Sequence, residues 1–252
     1  MIWITGDIHG DPTRFSVDIF PEQKEMTKND TVIICGDFGM VWDYKGESKE
    51  EKYWLDWLEV KPFTTVFVDG NHSNFNRLYQ YPVKEWNGGK VHEIRPSVLH
   101  LMRGEVFEIE GKRIFAFGGA RSHDISDGII DGSDPNWKEK AKKMDKHKKY
   151  MYRIKGISWW QEELPSDEEL KNGLNNLAKY GDKVDFIVTH CAPQSVAALI
   201  SHGLYKPDYL TEYFSAIAED VNFSKWFFGH YHDNRQILDK YIMLFEQIIR
   251  IN

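Results

Sequence analysis

Five short polar motifs bring together the side chains of this sequence that could bind metal ions. In chain order they read Gly6-Asp7-Ile8-His9-Gly10, Gly36-Asp37, Gly70-Asn71-His72, Thr189-His190 and Gly229-His230-Tyr231-His232. Each motif follows an apolar run typical of a buried strand, and ligands gather at the carboxyl ends of strands in open α/β sheets. In Asp-x-His and His-x-His pairs on an extended segment, both side chains point to one face, because the strand period is two.

The donor types in these motifs predict a site for two divalent metal ions. Two aspartates, one asparagine and four of the five histidines would supply the ligands, and such a set without thiolates suits Mn, Fe or Zn. Half of the ten histidines of the chain fall in the motifs. Burial of so many ionisable groups would be costly without compensation, so a purely structural role explains them poorly.

The segments that must position these motifs predict an α/β fold. Ser48 and Ser166 each precede a glutamate by three residues, at Glu51 and Glu169, which is the capping-box pattern of a helix N-terminus. Glu110-Gly111 is typical of a two-residue hairpin turn. We predict strands at residues 1–5, 31–35, 64–68, 98–103, 105–109, 112–117 and 184–189 and from 226, and helices after Gly10, from about Ser48 and Ser166, and at 193–200 and 208–218.

Residues 120–160 lack apolar periodicity, which predicts a loop or lid-like insertion within a single domain of residues 1–252. Residues 137–155 contain nine Lys or Arg against Glu139 and Asp145, a charge of +7 in a chain whose net charge is −7. The remainder therefore carries −14, which argues against sequence-independent wrapping of nucleic acid. The basic segment is either a solvated insertion or a contact for an anionic partner.

Composition bounds the class of protein. The 252 residues are 41% hydrophobic, which is enough for a core and argues against disorder. The sequence contains no run of about 18 apolar residues, so we expect no membrane partner, and a cleaved secretory signal would remove Asp7 and His9. Cys35 and Cys191 are too few for a disulfide scaffold and are read as buried thiols. We expect a cytoplasmic protein; the oligomeric state is not predicted.

In their order, the five motifs resemble those of the calcineurin-like metallophosphoesterases, and the resemblance runs from residue 6 to residue 232. It implies an αββα sandwich of two mixed β-sheets flanked by helices, with the dimetal site at the carboxyl ends of the strands. It also implies that His72 is not a ligand but acts on the leaving group. By the same resemblance, one metal is held by Asp7, His9 and His232, the other by Asn71, His190 and His230, and both by Asp37.

The resemblance implies a dimetal-dependent phosphoesterase that hydrolyses a phosphate mono- or diester by attack of a metal-bridging hydroxide. We expect a small or nucleotide-like substrate. A nuclease or phosphodiesterase acting on polynucleotide, with the basic insertion as its track, is the alternative, and a non-catalytic scaffold is a third. Arg121 could bind the substrate phosphate through its planar fork, or make only a surface salt bridge. Ser73 stands where many family members have an acid after Gly-Asn-His.

Overall fold

Two mixed β-sheets form the centre of the structure, a computed structural model that describes residues 1–251. The strands are β1 (Ile2–Thr5), β2 (Thr31–Ile34), β3 (Thr64–Phe67), β4 (Val83–Trp86), β5 (Gly89–Arg95), β6 (Val98–Leu101), β7 (Glu105–Ile109), β8 (Lys112–Phe117), β9 (Gly128–Asp131), β10 (Tyr152–Lys155), β11 (Phe186–Thr189), β12 (Lys225–Phe228), β13 (Arg235–Ile237), β14 (Tyr241–Met243) and β15 (Ile248–Ile251). The helices are α1 (Lys49–Glu59), α2 (Phe75–Leu78), α3 (Trp137–Lys146), α4 (Asp167–Lys179), α5 (Gln194–Ile200) and α6 (Tyr209–Asp220).

The first sheet has seven strands in the order β15-β1-β2-β3-β6-β5-β4, and the second has six in the order β13-β14-β12-β11-β8-β7. From β1 through β2 and β3 to β6 the first sheet is parallel. From β8 through β11 and β12 to β14 the second sheet is also parallel. Antiparallel strands complete both sheets, so the expected pair of mixed sheets is confirmed.

Alternating side chains of the strands face two different apolar layers. In β2, Ile33 packs between the two sheets, whereas Val32 and Ile34 pack on the outer face of the first sheet together with Leu55 and Leu58 of α1. The outer face of the second sheet is covered by apolar side chains of α4, α5 and α6. Because both faces of these strands are buried, they read as continuous apolar runs in the sequence. The layers are therefore helix, sheet, sheet and helix, as the resemblance implied.

The predicted local signals are largely confirmed. Capping boxes begin α1 at Ser48 and α4 at Ser166. The turn between β7 and β8 places both Glu110 and Gly111 at positive φ, as a tight hairpin requires. The helix predicted after Gly10 is wrong: besides a 3₁₀ segment at Pro21–Glu25, the structure has there a short 3₁₀ turn at Thr13–Phe15.

The reason for that 3₁₀ turn is local. The side chain of Asp11 accepts a hydrogen bond from the backbone N–H of Thr13 at 2.9 Å. Aspartate turns of this kind offer the backbone an alternative to helical hydrogen bonds.

The segment from 120 to 160 has more regular structure than the sequence predicted. Strands β9 and β10 pair in parallel, and α3 connects them, which makes a small βαβ unit. No residue of α3 is buried. A helix without a buried stripe gives no apolar periodicity, so the sequence could not reveal it. Among residues 1–251, no helix is both long enough and apolar enough to cross a membrane.

Candidate metal centre

The five motifs meet at one edge of the sandwich. Three of them follow β1, β2 and β3 of the first sheet, and two follow β11 and β12 of the second. Because these strands are parallel within each sheet, their carboxyl ends lie on the same side. The candidate site is therefore built from both sheets, with residues up to 223 positions apart in hydrogen-bond contact.

One group of potential ligands joins Asp7, His9 and His232. The Nε2 atoms of the two imidazoles are 2.9 Å apart. Oδ2 of Asp7 lies 3.2 Å from Nε2 of His232 and 3.9 Å from Nε2 of His9. Two imidazole nitrogens and a carboxylate oxygen thus converge on one point, which is an arrangement that suits a divalent ion.

The second group joins Asp7, Asp37 and His190, so Asp7 belongs to both groups. Nε2 of His190 lies 3.4 Å from Oδ1 of Asp37 and 3.2 Å from Oδ1 of Asn71. On its other side, Nδ1 of His190 is 2.9 Å from the carbonyl oxygen of Cys35. A hydrogen bond from Nδ1 to that carbonyl fixes the tautomer and leaves Nε2 free to bind a metal.

His230 completes the set from the second sheet. Its backbone N–H donates to both carboxylate oxygens of Asp7, at 3.1 and 3.0 Å. Its ring centroid lies 4.9 Å from that of His190. The structure thus brings the seven expected ligands together, while the sharing of Asp37 between two metals remains a prediction.

The backbone around the site is strained. A positive φ is uncommon for residues other than glycine and clusters at functional sites. Four of the expected ligands have this conformation: His9, Asp37, His230 and His232.

Two glycines leave room for the carboxylates. A Cβ at Gly229 would lie 1.9 Å from Oδ1 of Asp7, and one at Gly70 would lie 2.1 Å from Oδ1 of Asp37. The close approach of the Asp7 and Asp37 carboxylates therefore explains why Gly229 and Gly70 carry no side chain.

The electrostatics of the site centre on two buried carboxylates, since Asp7 and Asp37 are 0% and 2% exposed. Burial alone would raise the pKa of Asp37, but the charges of His190 and neighbouring imidazoles hold that pKa well below its usual range. Burial lowers the pKa of His190, but Asp37 and Asp7 outweigh it and raise the pKa to about 9. Burial lowers the pKa of both His9 and His230. The hydrogen bond with Asp7 also raises the pKa of His232, so His190 and His232 are the imidazoles whose protonated forms the carboxylates favour.

His72 lies beside the expected ligands. Its backbone N–H donates to Oδ1 of Asp37 at 2.8 Å, and its ring centroid is 5.3 Å from that of His9. The indole of Trp42 lies 5.6 Å from the His72 ring. Burial lowers the pKa of His72, which favours the neutral imidazole.

Arg153 is a residue next to the site that sequence reasoning missed. Its Nη2 lies 3.3 Å from Nε2 of His72. It is the one arginine among the nine basic residues of segment 137–155, and this was the signal available in the sequence. Arg121, the expected phosphate ligand, has an exposed side chain in the loop after β8, and its role stays a prediction.

Comparison with known proteins agrees with this geometry. A model of the family described as calcineurin-like phosphoesterase matches residues 1–234. The chain is also similar to lariat debranching enzyme A of Xenopus laevis, with 29% identity over 140 residues, covering 50% of this chain and 25% of that protein. The lariat debranching enzyme of Schizosaccharomyces pombe is 30% identical over 126 residues, covering 45% of this chain and 26% of its own length.

The chain therefore belongs to the calcineurin-like phosphoesterase family, whose members are hydrolases acting on phosphoesters. The expected resemblance is confirmed over most of the chain. The matched region spans about a quarter of the length of each of these curated relatives.

Proposed function

We propose that this chain is a dimetal-dependent hydrolase of a nucleotide-like phosphoester. The observation that carries the proposal is the convergence of two buried carboxylates and four imidazoles at the strand ends of both sheets. We assign one metal to Asp7, His9 and His232, and the other to Asn71, His190 and His230. Asp37 would contact both ions. Mn, Fe and Zn all suit these oxygen and nitrogen donors.

The charges of the site support this assignment. Asp7 and Asp37 carry two negative charges in a buried position, where unpaired charge is costly. A divalent ion would replace the proton of His190 as the balancing charge, so its binding should release a proton. When bound, two such ions activate a water molecule and offset the charge of the phosphoryl group.

We assign protonation of the leaving group to His72. The imidazole lies next to the ligand set without belonging to either group of potential ligands. Proton donation to a leaving alkoxide contributes typically about 10²–10⁴-fold to a rate. Burial lowers the pKa of His72, so the protonated imidazole is populated only when the pH falls below its usual range. The leaving group would therefore be protonated best at mildly acidic pH.

Trp42 supports a nucleotide-like substrate. Its half-buried indole lies beside the His72 ring and packs edge-on against Trp160, with 5.4 Å between centroids. An aromatic face next to the leaving-group position can stack a base, which is worth about 1–3 kcal/mol per base in nucleic-acid sites.

The buried, unpaired Cys35 and Cys191 agree with the cytoplasmic location that we expect.

A second candidate function is a phosphodiesterase acting on a branched or linear polynucleotide. The similarity to lariat debranching enzymes favours it. So does α3, whose exposed lysines could follow a phosphate backbone. The acidic remainder of the chain favours the smaller substrate instead.

A substrate panel with added Mn tests both candidates. It contains p-nitrophenyl phosphate, bis-p-nitrophenyl phosphate, cyclic nucleotides, dinucleoside polyphosphates, and linear and branched oligonucleotides. Hydrolysis of nucleotide-like esters with little dependence on salt supports the first candidate. A steep fall of oligonucleotide cleavage with salt supports the second, because several phosphate contacts release several counterions. Absence of hydrolysis across the panel by the metal-loaded protein would contradict both.

A further inference from the structure

The insertion between 120 and 160 delivers one oriented guanidinium group to the candidate site. Nε of Arg153 donates to Oδ2 of Asp124 at 2.8 Å, and Nη2 forms an ion pair with the same oxygen at 2.6 Å. Nη1 donates to the carbonyl oxygen of Ser158 at 3.2 Å. The Arg153 side chain is 14% exposed, so these partners hold it in a largely buried position. The arginine is therefore fixed within the insertion, and one edge of its fork points towards His72.

The contact with His72 defines a hydrogen-bond direction. An arginine side chain has only donors, so Nη2 must donate to Nε2 of His72. The imidazole proton then lies on Nδ1. The hydrogen bond from Nη2 to His72 leaves the insertion, so a new acceptor can replace His72 without disturbing the contacts of the fork with Asp124 and Ser158.

The position of this donor relative to the metal ligands suits a phosphoryl group. The backbone of His72 is hydrogen-bonded to Asp37, and its ring lies next to His9. In space, only His72 thus separates Arg153 from the groups expected to hold metals. A planar guanidinium matches the oxygens of a phosphoryl group, and such hydrogen bonds are about twice as strong as neutral ones.

We propose that Arg153 is a substrate-binding residue that donates from Nη2 to a non-bridging phosphoryl oxygen. In doing so its Nη2 exchanges the hydrogen bond to Nε2 of His72 for one to the substrate. Asp124 is the positioning residue that holds the fork. This inference rests on the proposed function for the identity of the substrate, whereas binding of phosphate by Arg153 can be measured without turnover.

The test compares wild type with Arg153→Ala, Arg153→Lys and a matched control, Arg113→Ala. Arg113 also forms an ion pair, with Glu108 at 3.4 Å, but it lies near the start of β8, away from the carboxyl ends of the strands. Three quantities are measured in Mn-loaded protein: kcat/KM on bis-p-nitrophenyl phosphate, metal content, and calorimetric affinity for inorganic phosphate. We expect Arg153→Ala to lower kcat/KM and phosphate affinity by roughly 10- to 100-fold, the effect of one lost charged hydrogen bond.

The other expectations make the result specific. Metal content should stay unchanged in every variant, Arg153→Lys should lose about 3- to 10-fold because its ammonium lacks the fork, and Arg113→Ala should match wild type. Phosphate affinity and kcat/KM within twofold of wild type for Arg153→Ala would overturn the proposal, as would a loss of metal. If Arg153→Ala does not fold, Arg153→Lys becomes the test. A kcat/KM and a phosphate affinity equal to those of wild type in Arg153→Lys would then overturn the proposal. Arginine-dependent phosphate binding in a protein that hydrolyses no phosphoester would support Arg153 but contradict the proposed function.

Discussion

At the scale of single residues, Asp37 is the carboxylate that we assign to both metals. It contacts His190, accepts the backbone N–H of His72, and has Gly70 packed against it. Removing its charge leaves the imidazole of His190 without its closest counter-charge. Its neutral amide analogue keeps the shape of the side chain, so substitution tests charge rather than packing.

We predict that Asp37→Asn abolishes turnover and reduces bound Mn from about two equivalents, as a two-metal site implies, to one or fewer. Elemental analysis after loading and gel filtration measures this. Asp11→Asn is the control, because Asp11 is exposed and its turn-forming hydrogen bond can be made by asparagine. Two equivalents of metal in Asp37→Asn would show that Asp37 is not shared.

His72→Ala separates a leaving-group role from a ligand role. We expect metal content to be retained and turnover of an alkyl phosphoester to fall by about 10²–10⁴-fold. The loss should be much smaller for p-nitrophenyl esters, because that leaving group needs little protonation. Equal losses for both leaving groups would argue that His72 acts otherwise.

At the scale of elements, Glu51 connects the start of α1 to the loop that carries Trp42. Its carboxylate accepts from the backbone N–H groups of Trp42 and Ser48, at 2.6 and 2.8 Å. It also forms an ion pair with Arg77 at 2.8 Å. We predict that Glu51→Ala lowers the free energy of unfolding by about 3 kcal/mol, because a largely buried arginine loses its partner and the capping box loses the hydrogen bond from the backbone N–H of Ser48.

Urea unfolding measures the effect of Glu51→Ala, and Glu50→Ala serves as the control, since Glu50 lies in the same turn but is exposed. A difference of less than about 0.5 kcal/mol between the two variants, the range of ordinary surface changes, would contradict this role. Glu51→Ala should also raise KM for a nucleotide-like substrate if Trp42 contacts the base.

The lysines of α3 belong to the same scale. We predict that neutralising four of them changes KM modestly for small substrates and mainly at low salt, because exposed charges are screened beyond about 8–10 Å at physiological ionic strength. Kinetics at two salt concentrations test this. A large loss restricted to oligonucleotides would favour the polynucleotide candidate instead. The four substitutions are Lys138→Gln, Lys140→Gln, Lys142→Gln and Lys143→Gln.

Sequence reasoning succeeded where the local signal and the tertiary environment agree. The runs at β2 and β11 are buried on both faces, so they read as strands, and the polar residues after them marked the site. Sequence reasoning did not predict β4, because its side chains are exposed or half-buried and give no apolar run. This strand is stabilised by its antiparallel pairing with β5. Arg153 was missed for a related reason: nothing local distinguishes the arginine whose fork is turned inward by Asp124 from solvated lysines nearby.

At the scale of the whole molecule, a buried chain of polar groups extends from the first sheet to the second half of the chain, where Arg103 donates to the carbonyl oxygen of Glu162 at 2.8 Å. Arg103 and His100 both contact the carboxylate of Asp69, and Nδ1 of His100 lies 2.9 Å from Nδ1 of His92. Burial, together with the neighbouring His100, lowers the pKa of His92 to about 4. Since one imidazole must donate and the other accept, the pair cannot hold a proton on every nitrogen.

This pair predicts how stability depends on pH. Between about pH 6.5 and pH 4, an unfolded chain binds a proton at His92 that the folded chain does not, so the free energy of unfolding should fall as the pH falls through this window. Urea unfolding of metal-free protein at pH 7.5 and pH 4.5, in wild type and His92→Gln, measures this contribution. The variant should lose less stability than wild type; an equal loss would assign the effect to other groups.

Strand β1 pairs with β15, and Asp7 receives a hydrogen bond from His230, 223 residues later. On the ribosome, the first motif therefore emerges long before its partners, and contacts of such sequence separation form slowly. In the proposed assignment, Asp7 and His9 would have no complete ligand set until the segment containing His232 has been synthesised and the sheets have docked. Metal loading would then come at the end of folding, and the ions available to the finished chain would determine which metal it incorporates.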